Sequence, residues 1–382
     1  MMMDLPGELV KIYRQVQDHG RVESNLGKIR PMWEAYLERL QEESPEVNVS
    51  EGGEVVVRGE LSPGCQACKD GMWDCIFLSN RCNLVCPFCY SPQDLPEEFT
   101  GSAFGSAPEE ICANHLRTHI TGISFSGGEP FLEPDKLLAW VAAFIHQCPE
   151  KYYWVYTNGL LAERGLLRKL GKLGLQEIRF NTTATGYDHT QVLQAIEIAA
   201  QYIPNITVEI PAIPEQAKKL LDCLNLWADR GVRFLNLHEL IYEPGTNAAS
   251  LRGVRQIFKT PDGHATEYNP ESRLLTHRVI KSVHERGLPL SVNDCSMQSK
   301  LRQVRGRRRS VAPLTIEKYE KQVGEEYFET CAAYRDQEVV YLHPDEVEVR
   351  RESLAGWQFV RLRRFAPLEM TGKKDWVEFI LL

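Results

Sequence analysis

RCNLVCPFCY, residues 81–90, places Cys82, Cys86 and Cys89 within one short stretch of chain. The C-x3-C-x2-C spacing offers three thiolates to a single centre. An upstream pair, Cys65 and Cys68, gives the stretch a second reading. Joined to Cys86 and Cys89, it makes C-x2-C-x17-C-x2-C, a spacing that also suits a zinc ribbon. The choice lies between a structural metal clip and a redox cluster, and it turns on what surrounds the cysteines.

Apolar strand patterns are expected at 75–79, 121–125, 152–156, 177–181, 206–210 and 233–237. Helical patterns separate them at 108–118, 134–146, 161–173, 189–202 and 215–229. Such alternation predicts an α/β fold with a parallel sheet and right-handed crossovers, either open or curled into a partial barrel. Residues 4–46 read as polar helix, with Trp33, Tyr36 and Leu40 at helical spacing, and Glu54–Arg58 as a short strand. Beyond Glu239 a helix is expected near 270–286 and a strand at 288–294, followed by the basic run KLRQVRGRRRS and a β-like tail. GSAFGSA (101–107) is the one small-residue linker. The expected division is therefore an N-terminal extension (1–71), a βα array (72–240) and a C-terminal α+β extension (241–382).

Bulk composition narrows the class. The 382 residues are 43% hydrophobic and 25% charged, ordinary for a globular chain. Lys plus Arg is 44 against 52 for Asp plus Glu, a net charge of −8, which argues against general nucleic-acid binding. No secretory signal or membrane-length apolar run is visible, so a cytoplasmic address is the expectation. In a reducing compartment the 11 cysteines are not read as disulfides. Cys112, Cys148 and Cys223 lie in helical patterns and read as small buried hydrophobes, and Cys75 as packing in the first strand.

Working residues of a parallel βα array gather at the carboxyl ends of its strands. The first strand here ends in the three-cysteine loop, the second in SFSGGEP (124–130), the third in YTNG (156–159) and the fourth in FNTT (180–183). The zinc reading leaves Cys82 idle and ignores the glycine loop. Three thiolates would instead hold three irons of a [4Fe–4S] cube and leave the fourth open to a small ligand. Gly127 and Gly128 permit close backbone approach, and Glu129 can accept hydrogen bonds from a ligand ammonium. Thr157, Asn158 and Asn181 read as cofactor contacts or as turn and cap residues.

With these residues in place the chain resembles a radical S-adenosylmethionine (SAM) enzyme. The resemblance rests on Cys82, Cys86 and Cys89, on Phe88, on Gly127-Gly128-Glu129-Pro130 and on Thr157-Asn158-Gly159, and it covers about residues 72–240. It implies a partial (β/α)6 TIM-like barrel and a [4Fe–4S] cluster whose open iron binds the amino and carboxyl groups of SAM. Reductive cleavage of SAM would yield a 5′-deoxyadenosyl radical that abstracts hydrogen from a small-molecule or peptide substrate, with a flavodoxin- or ferredoxin-type electron donor. Glu209 and Pro211 would face the adenine. CQACKDGMWDCIFLSNRC, FLNLHEL, EPGTN and NDCSMQSKLRQVRGRRR are similar to a poorly characterised branch related to pyruvate formate-lyase activating enzymes. That likeness carries no substrate with it.

Cys65 and Cys68 then need other partners, and Cys295 and Cys331 remain. Four thiolates from the two flanks would hold an auxiliary Fe–S cluster or a zinc. His238 and Glu239 read as substrate contacts or as structural residues. The run Arg302, Arg305, Arg307, Arg308, Arg309 reads as solvated surface, as a patch for an acidic partner or as a clamp for an anionic substrate, with the last two favoured. Two other functions remain in view: an activase that installs a glycyl radical on a partner enzyme, and a non-catalytic Fe–S electron carrier.

Overall fold

The structure, a computed structural model, describes residues 6–19, 37–50, 53–89, 107–115, 119–259, 265–368, 374 and 376–382. Trp33, Tyr36 and most of the expected linker (101–106) lie outside the described residues. Leu40 falls in a helical run at 37–43. The sequential division into 1–71, 72–240 and 241–382 gives way to two compact units, one of residues 28–258 and 266–303, the other of residues 1–27, 259–265 and 304–382. The upstream CxxC and the strand after residue 288 belong to the same unit as the βα array, because sheet pairing joins them to it.

The strands in chain order are β1 (Val47–Val49), β2 (Val56–Arg58), β3 (Trp73–Phe77), β4 (Gly122–Ser126), β5 (Tyr152–Thr157), β6 (Glu177–Phe180), β7 (Asn205–Pro211) and β8 (Phe234–His238). They continue as β9 (Ile241–Tyr242), β10 (Gln256–Lys259), β11 (Ala265–Tyr268), β12 (Ser291–Cys295), β13 (Lys321–Val323), β14 (Tyr327–Arg335), β15 (Glu338–Leu342), β16 (Gln358–Phe365) and β17 (Trp376–Leu381). The larger unit is built on a nine-stranded sheet in the order β1-β2-β12-β8-β7-β6-β5-β4-β3. Every pairing from β12 through to β3 is parallel, whereas β2 joins β12 and β1 joins β2 antiparallel. The fold is thus α/β with a mostly parallel sheet. All six expected strands are present, and β12 adds a seventh to the parallel run.

Local sequence explains the helices between them. Pro134 opens the helix Pro134–Gln147 at a position where its missing N–H costs nothing. Gly174 ends the helix Arg164–Leu173 in the left-handed conformation, φ 98°, with its N–H turned back to the Leu170 and Gly171 carbonyls. Asn269 caps the helix Pro270–Glu285 by accepting from Glu271 N at 2.9 Å. The buried faces of these helices and strands share one core, in which Leu137, Val141 and Phe144 meet Ile123, Phe125 and Val155. Cys112, Cys148 and Cys223 are buried in that core.

In the smaller unit β14 pairs with β13, β15 and β16, and β16 pairs with β17, all antiparallel. Leu9 and Ile12 of the helix Gly7–His19 pack with Ala332, Val360, Leu362 and Trp376. Arg364 is buried and forks onto Glu320, Nε to Oε1 at 2.6 Å and Nη2 to Oε2 at 2.7 Å.

Candidate active site

A cavity of about 420 Å³ opens in the larger unit where the parallel strands end. Cys82, Cys86 and Cys89 are on its wall together with Gly127, Gly128 and Glu129. The cysteine loop is compact: Cys89 N donates to Cys86 O at 3.1 Å. Burial, with the neighbouring Cys89 and Cys82 thiols, pushes Cys86 up to about 12. Burial also raises Cys82. Ionised together in this half-buried loop the three thiolates would repel one another, so a bound cation would be needed to hold them in that form.

The glycine loop is seated on the cysteine loop. Gly128 N donates to Ser79 O at 2.7 Å and Glu129 N to Arg81 O at 2.8 Å. A Cβ on Gly127 (φ 135°) would lie 2.1 Å from Ser79 O, and one on Gly128 would lie 2.2 Å from Arg81 O. The close approach expected of these glycines is therefore made to the backbone that carries the cysteines. Phe88 is buried against Ile213 and Leu240, and its carbonyl accepts from Asn247 Nδ2 at 3.0 Å.

Glu129 is almost fully buried and joins two strand ends. Its Oε1 accepts from Phe131 N at 3.0 Å and Thr157 Oγ1 at 2.9 Å, and its Oε2 accepts from Asn158 N at 2.7 Å. Burial raises the carboxyl, against the pull of these donors. Most of its acceptor capacity thus braces the GGEP and TNG loops, and one site on Oε2 remains for a ligand. Pro130 is the first residue of the short helix Pro130–Leu132 that Glu129 caps. Asn158 Nδ2 donates to Asn83 Oδ1 at 2.7 Å, tying the third strand end to the cysteine loop. Asn181 accepts from Ala184 N at 3.3 Å, so it is a cap that also lines the cavity.

The fit of a cluster and SAM rests on the donor set and on unsatisfied groups. The cavity presents three clustered thiols. Among the described residues, Asn80 Nδ2 and Asn293 Oδ1 on its wall are buried and without a partner. A polar ligand would satisfy both.

Cys65, Cys68 and Cys295 line this same cavity rather than a separate flank. Cys65 and Cys68 are on the helix Pro63–Lys69, which Ser62 caps by accepting from Cys65 N at 3.1 Å. Ser62 Oγ also accepts from Arg179 Nη2 at 3.3 Å. A Cβ on Gly64 would come within 2.4 Å of that guanidinium. The glycine thus admits the CxxC helix against Arg179. Cys75, expected as packing, faces the cavity, since Trp73, Cys75 and Phe77 alternate with the core residue Ile76. Cys331, expected with the flanking thiols, stands in β14 of the smaller unit. There it packs with Ala333, Leu342, Val347 and Phe359 as a small hydrophobe.

Arg179 is the site residue that pattern reading missed. It is buried, its Nε bonds Glu177 Oε1 at 2.7 Å, its Nη1 bonds Glu209 Oε2 at 2.5 Å, and its guanidinium lies 4.7 Å from the Trp154 ring centre. A charged residue inside EIRF, a strand covered on both faces, was the available signal. Glu209 Oε1 also meets His238 Nε2 at 2.7 Å. Burial works to raise the Glu209 carboxyl, but Arg179 and then His238 outweigh it and hold it down at about 2. Glu209, expected to face an adenine, is thus engaged by two cations. Glu239 Oε2 accepts from Met297 N at 2.7 Å, at the start of the helix Met297–Thr315.

The basic run lies on that helix and is largely paired. Arg302 meets Asp70 at 3.0 Å, Arg309 meets Glu325 at 3.2 Å, and Arg307 Nε donates to Leu368 O at 2.9 Å. Arg308 faces Glu326 at 3.9 Å and lies over the Phe365 ring. The helical repeat spends these cations on acidic residues of the same chain, so the reading of a free anion clamp gives way.

The chain is similar to several known proteins. A curated protein of Methanocaldococcus jannaschii, a proposed glycyl-radical enzyme activating enzyme, is 24% identical over 190 residues, covering 47% of this chain and 50% of that protein. The chain thus spans half the length of this curated relative. Among solved structures, Streptococcus suis SuiB bound to S-adenosylmethionine aligns with a TM-score of 0.45 at 11% identity, over 58% of this chain and 50% of that one. anSMEcpe with bound AdoMet and the Cp18Cys peptide aligns with a TM-score of 0.37 at 18% identity, over 47% of this chain and 55% of that one. Residues 76–226, which carry the cysteine loop, the glycine loop and four of the parallel strands in full, match the family model for the Radical SAM superfamily.

Proposed function

We propose that the protein is an enzyme that cleaves S-adenosylmethionine reductively and uses the product to take hydrogen from a substrate. The observation that supports this most is the seating of the GGEP loop on the loop of Cys82, Cys86 and Cys89, at one cavity. In this reading β3 to β8 and their helices form the partial (β/α)6 barrel, and the three thiolates hold a [4Fe–4S] cluster. When bound, the cluster and SAM would supply one-electron chemistry, the reductive cleavage of the sulfonium, with the electron coming from a flavodoxin- or ferredoxin-type donor.

The chain's own residues hold and orient. Glu129 Oε2 keeps one acceptor site for the SAM ammonium while the carboxylate braces Thr157 and Asn158. Asn80 Nδ2 offers a buried donor, and Phe88 packs beside the cluster loop. The experiment is anaerobic reconstitution with iron and sulfide, then dithionite and SAM, with 5′-deoxyadenosine as the readout. Its absence under conditions that load the cluster would refute SAM cleavage and favour an electron carrier.

The likeness to the Methanocaldococcus jannaschii protein favours one narrower reading, a glycyl-radical activase acting on a partner enzyme. A glycine-centred radical signal appearing on a co-expressed partner would single out that reading, whereas deuterium passing from a peptide or small molecule into 5′-deoxyadenosine would favour direct modification. Among the described residues no helix is long and apolar enough to cross a membrane. A cytoplasmic site of action accords with this proposal.

A further inference from the structure

We propose that Cys65, Cys68 and Cys295, with His238 as the fourth ligand, form a second metal centre on the wall of the same cavity. Cys65 and Cys68 are three residues apart on one short helix, so successive turns present both thiols on one face. Both line the cavity. Cys295 and His238 end the neighbouring parallel strands β12 and β8 and are register partners, so their side chains leave the sheet on the same face, and both line the cavity too. Lys69 Nζ, at the end of the helix that carries Cys65 and Cys68, donates to Asp294 O at 3.3 Å, which ties that helix to the strand end carrying Cys295. Two thiols from a helix, and a thiol and an imidazole from adjacent strand ends, make a four-donor set of the Cys3His type.

The surroundings match what such a centre requires. A metal-binding histidine usually donates its second ring N–H to a carboxylate, which fixes the tautomer and the ring orientation. His238 Nε2 meets Glu209 Oε1 at 2.7 Å, which frees Nδ1 for the metal. Glu209 is fixed in turn by Arg179, and Arg179 by Glu177. That chain of ion pairs, which also seats the CxxC helix against Arg179, would hold the imidazole rigidly. Three buried thiolates also need compensating charge. Arg179, Lys69 and Lys300 line the same cavity. The competing arrangement is a metal-free pair, in which Cys295 is a thiolate bonded to an imidazolium His238. It uses neither Cys65 nor Cys68.

This centre goes beyond SAM cleavage and can be tested without it. The full chain carrying C82A, C86A and C89A would be loaded anaerobically with ferrous iron and sulfide in one arm and with zinc alone in the other. The proposal expects stoichiometric binding in one arm: about four irons with a visible thiolate-to-iron absorption, or about one zinc. The arm that loads identifies the metal. Adding Cys65→Ser with Cys68→Ser, or Cys295→Ser, should abolish the binding, with circular dichroism reporting the fold. Glu209→Gln should weaken the affinity about 10–100-fold while leaving all four ligands in place. Cys331→Val should retain the metal. No stoichiometric metal in either arm would overturn the proposal in favour of the thiolate–imidazolium pair. Retention after loss of Cys65 and Cys68, or loss in a folded Cys331→Val variant, would overturn the donor set.

Discussion

The cysteines of this chain fall into two populations that differ in what surrounds them more than in how deeply they are buried. Cys112, Cys148, Cys223 and Cys331 lie among aliphatic and aromatic side chains, where sulfur does the work of a methyl group. Cys65, Cys68, Cys75, Cys82, Cys86, Cys89 and Cys295 line one cavity, with polar loops, a buried arginine and unsatisfied amide groups for neighbours. Cys65 and Cys331 are both buried, so burial alone does not tell the populations apart. What separates them is whether a thiol is on the wall of the cavity or packed within a hydrophobic cluster.

The largest effect should come from the second population, at the cavity. Cys82→Ala, Cys86→Ala or Cys89→Ala should each reduce 5′-deoxyadenosine formation to background, and turnover in any one of them would break the comparison. Gly128→Ala comes next. Its Cβ would meet the Arg81 carbonyl at 2.2 Å, so the two loops must part, with an expected cost of about 1–3 kcal/mol and weaker SAM binding. Unchanged SAM affinity by calorimetry would show that the seating is not functional. Glu129→Gln keeps the shape but turns one acceptor into a donor facing bonded N–H groups, at a cost of about 1–2 kcal/mol in stability. SAM affinity should fall with it. The smallest change is expected from Cys148→Ala: about 1 kcal/mol lost in thermal unfolding and wild-type SAM cleavage. Lost cleavage there would move Cys148 into the other population.

Much of this was legible because the βα alternation and the strand-end motifs are local. Each expected strand from 75–79 to 233–237 lies within about two residues of its observed place, and the GGEP, TNG and FNTT stretches end β4, β5 and β6 as read. What escaped was long-range. Nothing near LPLSVND says that its strand lies beside β8, and nothing near Cys65 says that its helix reaches Arg179. The basic run was misjudged because its acidic partners Asp70, Glu325 and Glu326 are distant or uninformative in sequence. Cys75 was misjudged because both faces of its strand are covered, so alternation alone could not tell core from cavity. The role of Glu129 was half legible: an acceptor, as read, but one spent mainly on its own chain.

The sheet order carries a consequence for synthesis. β1 and β2 are made well before β12, yet β2 attaches to the larger sheet through β12. At a usual elongation rate of about 5–20 residues per second, the roughly 240 residues between them take about 12–48 seconds to emerge. During that interval the N-terminal hairpin has no sheet edge to join, while β8 waits with an unpaired edge of its own. The last strand to arrive seals both. A ribosome-bound chain stalled before residue 291 should therefore keep its βα array exposed along β8, a surface that a chaperone could hold.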